Sequence, residues 1–225
     1  MGTSAADLPW LHSSFPAREP PGNPGRFTSN ARNRLRAANF PVQKTLEEFD
    51  LASSSVQQAS FEYLVSLEWI RAKENPCFLG PAGTGKSHLL IALGHAAVDA
   101  GHRVRYFSAA ELVETLYRGM ADNSVGKVID QTLRADFVTV DELGFAPLDD
   151  TGTQLLFRFV ATAYERVSLG VASHWPFDQW GRFLPEPTTA VSLLDRLLHH
   201  SVVVLTDGES FRMREARQKG GPRKS

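Results

Sequence analysis

Cysteine is nearly absent: Cys77 is the single one in 225 residues, so no disulfide can form within the chain. On an apolar stretch it is expected to act as a small buried hydrophobe. Long apolar runs are missing too. No window approaches 18 uninterrupted apolar residues, and the first residues lack the basic-then-apolar order of a secretory leader. The expectation is a cytoplasmic protein that neither crosses nor contacts a membrane. No internal repeat is visible. Nor is there an excess of one charge: 24 Lys and Arg against 25 Asp and Glu leave a net charge of −1, which alone says nothing about nucleic acid. What is present is 42% hydrophobic and 22% charged residues, enough to build a sizeable core in one globular domain with extensions.

The charge is uneven along the chain. Arg26, Arg32, Arg34, Arg36 and Lys44 occupy a stretch with no acidic residue. Arg212, Arg214, Arg217, Lys219, Arg223 and Lys224 crowd the C-terminus against Glu215 alone. Two basic ends around a neutral middle suit contact with a phosphate backbone, and solvated tails are the plain alternative.

Residues 1–30 hold five prolines and no apolar period and are expected to be disordered. A basic, helical extension is expected over 31–75. Within it Thr45 and Glu48 read as a capping pair, and Phe61, Leu64, Val65 and Trp69 recur at helical spacing through Lys73. Apolar Pro76-Cys-Phe-Leu79 then opens an alternation of strands and helices. The strands are Arg103–Phe107, Phe137–Val140, Leu169–Ala172 and Val202–Leu205. The helices are His88–Ala100, Ala109–Tyr117, Ser124–Leu133, Thr151–Arg166 and Val191–His199. This order predicts an α/β fold with a parallel sheet covered on both faces. A turn at Asp207-Gly208 followed by Ser210–Met213 reads as an edge hairpin. The core domain is expected over 76–214, with a basic disordered tail over 215–225.

Gly80-Pro-Ala-Gly-Thr-Gly-Lys-Ser87 fits G-x-x-x-x-G-K-[ST] at every defined position, with a strand leading in and a helix leading out. Glycines let backbone N–H groups turn toward a polyphosphate at close range, and the positive end of the next helix faces the same anion. Gly80, Pro81, Ala82, Gly83, Thr84, Gly85, Lys86, Ser87 and His88 are the candidate nucleotide contacts. Lys86 is expected to reach the β- and γ-phosphates, and Ser87 to ligate Mg²⁺. Fifty-four residues later the Phe137–Val140 strand ends in Asp141-Glu142. At a strand tip downstream of a phosphate loop, Asp141 suits Mg²⁺ through its water shell, and Glu142 suits orienting and deprotonating water. The spacing leaves room for an additional strand. The expected ligands are ATP and Mg²⁺.

Several stretches carry a family resemblance: Thr45-Leu-Glu-Glu-Phe-Asp50, Gly80 to Ser87, Asp141-Glu-Leu-Gly144 with Pro147-Leu148, Tyr164-Glu-Arg166, Trp175-Pro-Phe177 with Trp180-Gly181, and Leu193-Leu-Asp-Arg-Leu-Leu-His-His200. Over about Ala31 to Arg214 the sequence resembles the IstB family, the ATPase helpers of insertion-sequence transposition, related to DnaC-type helicase loaders within the AAA+ class. The resemblance implies a P-loop NTPase three-layer sandwich without a separate helical lid domain. It also implies ATP hydrolysis, ATP-dependent homo-oligomers on non-specific duplex DNA, and a transposase of the same insertion sequence as partner. A DnaC-like loader, or an ATP-switched DNA-binding module with negligible hydrolysis, are the alternatives. Arg196 matches the arginine that this clade offers to a neighbouring subunit's γ-phosphate; an ordinary surface arginine is the other reading. His174 stands where the family has a sensor asparagine, as a substitute hydrogen-bond donor or as a structural histidine. Family members also carry a longer helical region ahead of the core.

Other features have simpler readings. His199 and His200 are adjacent, and adjacent positions do not share a helix face, so they read as helix-end histidines rather than a metal pair. Trp175, Phe177 and Trp180 read as a loop plugged onto the core. Arg103 and Arg105 read as a solvated strand face.

Overall fold

The computed structural model describes residues 24–219, and within them five strands alternate with helices. The strands are β1 (Asn75–Leu79), β2 (Val104–Ser108), β3 (Phe137–Leu143), β4 (Ser168–Ser173) and β5 (Ser201–Leu205). All pairs are parallel, in the order β2-β3-β4-β1-β5. The strand carrying Asp141 is thus separated from β1 by β4.

Side chains alternate across the sheet and feed two cores. Cys77 and Leu79 of β1 and Val138 and Val140 of β3 face one core; Phe78 and Phe137 face the other. The first core is roofed by α5 (Ala109–Ala121), α6 (Val125–Thr132), α7 (Asp150–Ala163) and α8 (Pro187–Leu198). The second is roofed by α2 (Gln58–Ser66), α3 (Glu68–Ala72) and α4 (Lys86–Asp99). The result is the expected three-layer sandwich. Burial pushes the Cys77 thiol up to about 12, so it is an inert core residue.

Local chemistry explains the helix starts. Ser108 and Glu111 form a reciprocal capping box at α5. Asp149 accepts from the Gly152 N–H at α7, and Glu186 caps α8 with Pro187 at its first position.

Four segments differ from expectation. The expected disorder over 1–30 lies outside the described residues as far as 23; from there α1 (Pro24–Ala38) is helical, beginning seven residues before the predicted Ala31. Thr45 and Glu48 do exchange hydrogen bonds, each 3.3 Å, but they close a turn and no helix follows. The predicted helix over Phe61–Lys73 is split at Leu67, whose φ of 58° ends α2, and the Trp69 indole donates back to the Leu64 carbonyl at 2.8 Å. Ser210–Met213 is no hairpin. After Phe211, α9 (Phe211–Lys219) holds only Arg, Met, Glu, Ala, Gln and Lys, residues that favour helix, and it runs four residues past the start of the predicted tail at 215.

Tryptophan placement follows the plain reading. Trp180 is fully buried in a 3-10 helix, Phe177–Arg182, and its indole donates to the Trp175 carbonyl. Arg103 is paired with Asp136 at 2.8 Å rather than simply solvated.

Candidate nucleotide-binding site

In a parallel sheet the loops that follow the strand tips share one edge, and ligands gather there. Register puts Leu79, Ser108, Asp141, Ser173 and Leu205 along that edge. The loop from Gly80 to Gly85 leaves β1 at this edge and becomes α4 at Lys86.

Neighbouring strand tips clamp the loop. The Gly80 N–H donates to the Ser173 carbonyl at 3.2 Å, and Thr206 binds the Leu79 carbonyl with its N–H at 2.7 Å and its hydroxyl at 3.1 Å. The Thr84 and Thr206 hydroxyls are 2.7 Å apart. The glycines are needed sterically. A Cβ on Gly80 would lie 1.8 Å from the Thr206 carbonyl oxygen, and one on Gly83 would lie 2.0 Å from Ser210 Oγ. The segment after Thr45 packs beside the loop: Phe49 lies under Gly85, and His88 Nε2 is 3.0 Å from the Thr45 carbonyl.

Lys86 is buried, and its Nζ donates to the Gly80 and Pro81 carbonyls at 2.6 Å each. Burial holds its pKa below the ordinary lysine value; Asp141 pulls it up and Arg212 presses it further down. Ser87 Oγ donates to Asp141 Oδ1 at 3.0 Å. The same Oδ1 accepts the Glu142 N–H at 2.8 Å, while Oδ2 accepts the Tyr106 hydroxyl at 2.9 Å. The Tyr106 phenol is pushed far up, first by burial and then by the Asp141 charge. Glu142 has a φ of 58°, a conformation that turns the chain sharply at the tip of β3, and its side chain is exposed.

His174 follows the end of β4 and packs against Trp175 in a tilted arrangement with centroids 4.6 Å apart. Burial, and then the Lys86 charge, hold its imidazole below the ordinary histidine range. Arg196 does not join this group. Its Nη1 donates to the Ser192 carbonyl at 2.8 Å and its guanidinium lies 5.1 Å from the Phe157 ring. It sits in the last turn of α8, which leads to the start of β5 at the opposite edge of the sheet.

Two residues at the site were not singled out by sequence. Tyr106 looks like an ordinary buried strand aromatic, and nothing local marks its hydroxyl. Arg212 reads as one of many basic residues near the C-terminus. The first turn of α9 is in fact pinned to the loop by a 2.9 Å bond from the Phe211 N–H to the Gly83 carbonyl, which brings the Arg212 charge toward Lys86.

Hydroxyl and carboxylate oxygens paired at Ser87 and Asp141 are the hard donors that Mg²⁺ selects, so the residues fit that ion. One strand standing between the phosphate-loop strand and the aspartate strand is the arrangement of the additional-strand P-loop NTPases, and this chain has that fold. The chain belongs to the IstB-like ATP-binding protein family, whose pattern matches residues 24–219. It is 36% identical over 197 residues to the insertion sequence IS21 ATP-binding protein of Pseudomonas aeruginosa, covering 87% of this chain and 74% of that protein. Among solved structures, DnaI aligns with a TM-score of 0.61 at 16% identity, covering 78% of this chain and 94% of that one. AMPPCP-bound DnaA from Aquifex aeolicus aligns with a TM-score of 0.60 at 19% identity, covering 78% and 54% respectively. These two likenesses concern the fold. No helix among the described residues is long and apolar enough to cross a membrane.

Proposed function

We propose that this chain is an Mg²⁺-dependent ATPase that assembles as a homo-oligomer on duplex DNA and assists the transposase of its insertion sequence. The observation that carries the catalytic half is the 3.0 Å bond from Ser87 to Asp141, which joins two sequence motifs 54 residues apart into one site. The Gly80–Gly85 backbone and Lys86 bind the phosphates. Contact with phosphate oxygens replaces the two carbonyls that now hold the ammonium and offsets its burial. Ser87 and Asp141 would hold Mg²⁺, which supplies charge neutralisation between the β- and γ-phosphates.

Glu142 accepts a proton from water as the water oxygen bonds to the γ-phosphorus and the bond to the β-γ bridging oxygen breaks, giving ADP and phosphate. His174, neutral near pH 7 because its pKa is depressed, donates a hydrogen bond toward the γ-phosphate in the sensor position. Arg196 lies toward the edge away from its own phosphate loop and reaches a neighbouring subunit's nucleotide, so hydrolysis waits for assembly. DNA contact is assigned to the basic helices α1 and α9, in keeping with the family's insertion-sequence context.

Steady-state ATP turnover with and without duplex DNA tests this reading. Glu142→Gln is expected to bind ATP as the parent does and to lose about 10²- to 10⁴-fold in turnover. Parent-like turnover by that variant removes Glu142 from the chemistry. Negligible turnover by the parent, with and without DNA, favours ATP as an assembly switch.

A further inference from the structure

Away from the nucleotide site, one group of three metal-capable side chains occurs among the described residues: Glu165, His199 and His200. All three are exposed, and one donor atom of each lies within 4.8 Å of the others. Neighbouring positions on a helix point apart, yet these histidines are not both on a helix. α8 closes at Leu198, His199 is its C-cap, and His200 has already left for β5. Freed from the helical repeat, the two rings meet edge to face with centroids 4.1 Å apart. From the corner between α7 and β4, Glu165 brings its carboxylate to 3.7 Å from His200 Nε2. It does so with a φ of 58°, a left-handed conformation that costs a non-glycine residue free energy.

The donors are also held. The Tyr164 hydroxyl is 2.9 Å from His199 Nδ1, which fixes that ring and leaves Nε2 for a ligand; an outer hydrogen bond of this kind is a habit of metal-binding histidines. The backbone beneath is tied down by bonds from the His199 N–H to the Asp195 carbonyl at 3.1 Å and from the Asn75 N–H to the His200 carbonyl at 2.7 Å. Of the nearby charges, Asp195 favours a cation and Arg196 opposes one.

We propose that Glu165, His199 and His200 bind one divalent ion of the zinc class, as two imidazole nitrogens and one carboxylate oxygen with a fourth position open. Metal–ligand bonds of about 2.0–2.2 Å require donors closer together than the present spread. The exposed Glu165 and His200 side chains close that gap by rotating toward His199 Nε2, which Tyr164 holds in place. Imidazole donors favour Zn²⁺, Co²⁺ or Ni²⁺ over Mg²⁺, so this site differs in chemistry from the all-oxygen pair at Ser87 and Asp141. The ion ties the C-terminal end of α8, one turn beyond Arg196, to the α7–β4 corner.

Calorimetric titration of Zn²⁺ into the full chain, with Mg²⁺ in excess so that the oxygen site is not counted, tests the proposal. The parent is expected to bind one equivalent in the micromolar range. His200→Ala and Glu165→Gln are each expected to weaken binding at least about tenfold, and His102→Ala to leave it unchanged. Proton NMR of the parent gives a second readout that needs no variant: the His199 and His200 ring signals shift on adding Zn²⁺ while those of His95 and His102 stay. Absence of a stoichiometric event, parent-like affinity in His200→Ala, or unshifted His199 and His200 signals overturns it and leaves an ordinary Glu165–His200 ion pair.

Discussion

Asp141 has both carboxylate oxygens engaged, Oδ1 by Ser87 and the Glu142 N–H and Oδ2 by Tyr106. The tyrosine therefore sets the angle at which the aspartate meets the serine, without touching the phosphates itself. Removing its hydroxyl in Tyr106→Phe leaves a buried carboxylate oxygen without its donor, at a cost of about 1–3 kcal/mol. The Mg²⁺ concentration for half-maximal ATP binding is expected to rise severalfold in this variant, while saturating Mg²⁺ restores parent-like affinity. An unchanged Mg²⁺ dependence would show that Tyr106 only fills space. Gly80 makes a harder demand: with a φ of 144° and a backbone oxygen 1.8 Å from any Cβ, Gly80→Ala must displace the loop or the Thr206 turn. Loss of several kcal/mol in denaturant unfolding, together with loss of ATP binding, is expected.

At the scale of elements, the readable segments were those whose signal is local. The phosphate loop, the Asp141-Glu142 strand tip and the apolar stripe of α7 each sit within about twenty residues. What escaped depends on distant partners. Tyr106 acquires its role from a residue on the neighbouring strand, α9 is steered by Gly83 far upstream, and Leu67 breaks a helix so that Trp69 can enter the core beside Phe137, 4.7 Å between centroids. The Ser108 cap of α5 is a local device, and Ser108→Ala is expected to cost about 1 kcal/mol by thermal unfolding. Asp136 joins the starts of β2 and β3 by accepting from the Arg103 guanidinium and its N–H. That guanidinium holds the Asp136 carboxyl below its usual range. A depressed carboxylate stabilises the fold fully above its unfolded value, about 4, and the contribution fades as pH falls through the lower folded value. The melting temperature of the parent is therefore expected to drop more steeply below about pH 4 than that of Asp136→Asn. Parallel pH profiles would show that the pair contributes nothing.

The whole molecule places its parts at two edges. Lys86, Ser87, Asp141 and His174 gather where the strands end, whereas Arg196 and the Glu165–His199–His200 group lie toward the edge where they begin. The proposed trans role of Arg196 rests on this separation. Arg196→Ala is expected to keep the parent's ATP affinity and its basal rate but lose DNA-stimulated turnover, with sedimentation showing whether oligomers still form. Full stimulation in that variant would refute an arginine acting across subunits. The covered parallel sheet was legible from the alternation of strands and helices, and the P-loop class from the Gly80–Ser87 motif. The order of the strands across the sheet was not, because it is set by pairing between segments far apart in the chain.

The proposed chemistry requires a nucleotide held between Lys86 and the Ser87–Asp141 pair. Its most direct measurement is calorimetric ATP binding, with and without Mg²⁺, for the parent, Lys86→Ala and Asp141→Asn. Binding that strengthens with Mg²⁺ in the parent, vanishes in Lys86→Ala and loses its Mg²⁺ dependence in Asp141→Asn is the predicted result; Lys86→Ala binding ATP as tightly as the parent would contradict it.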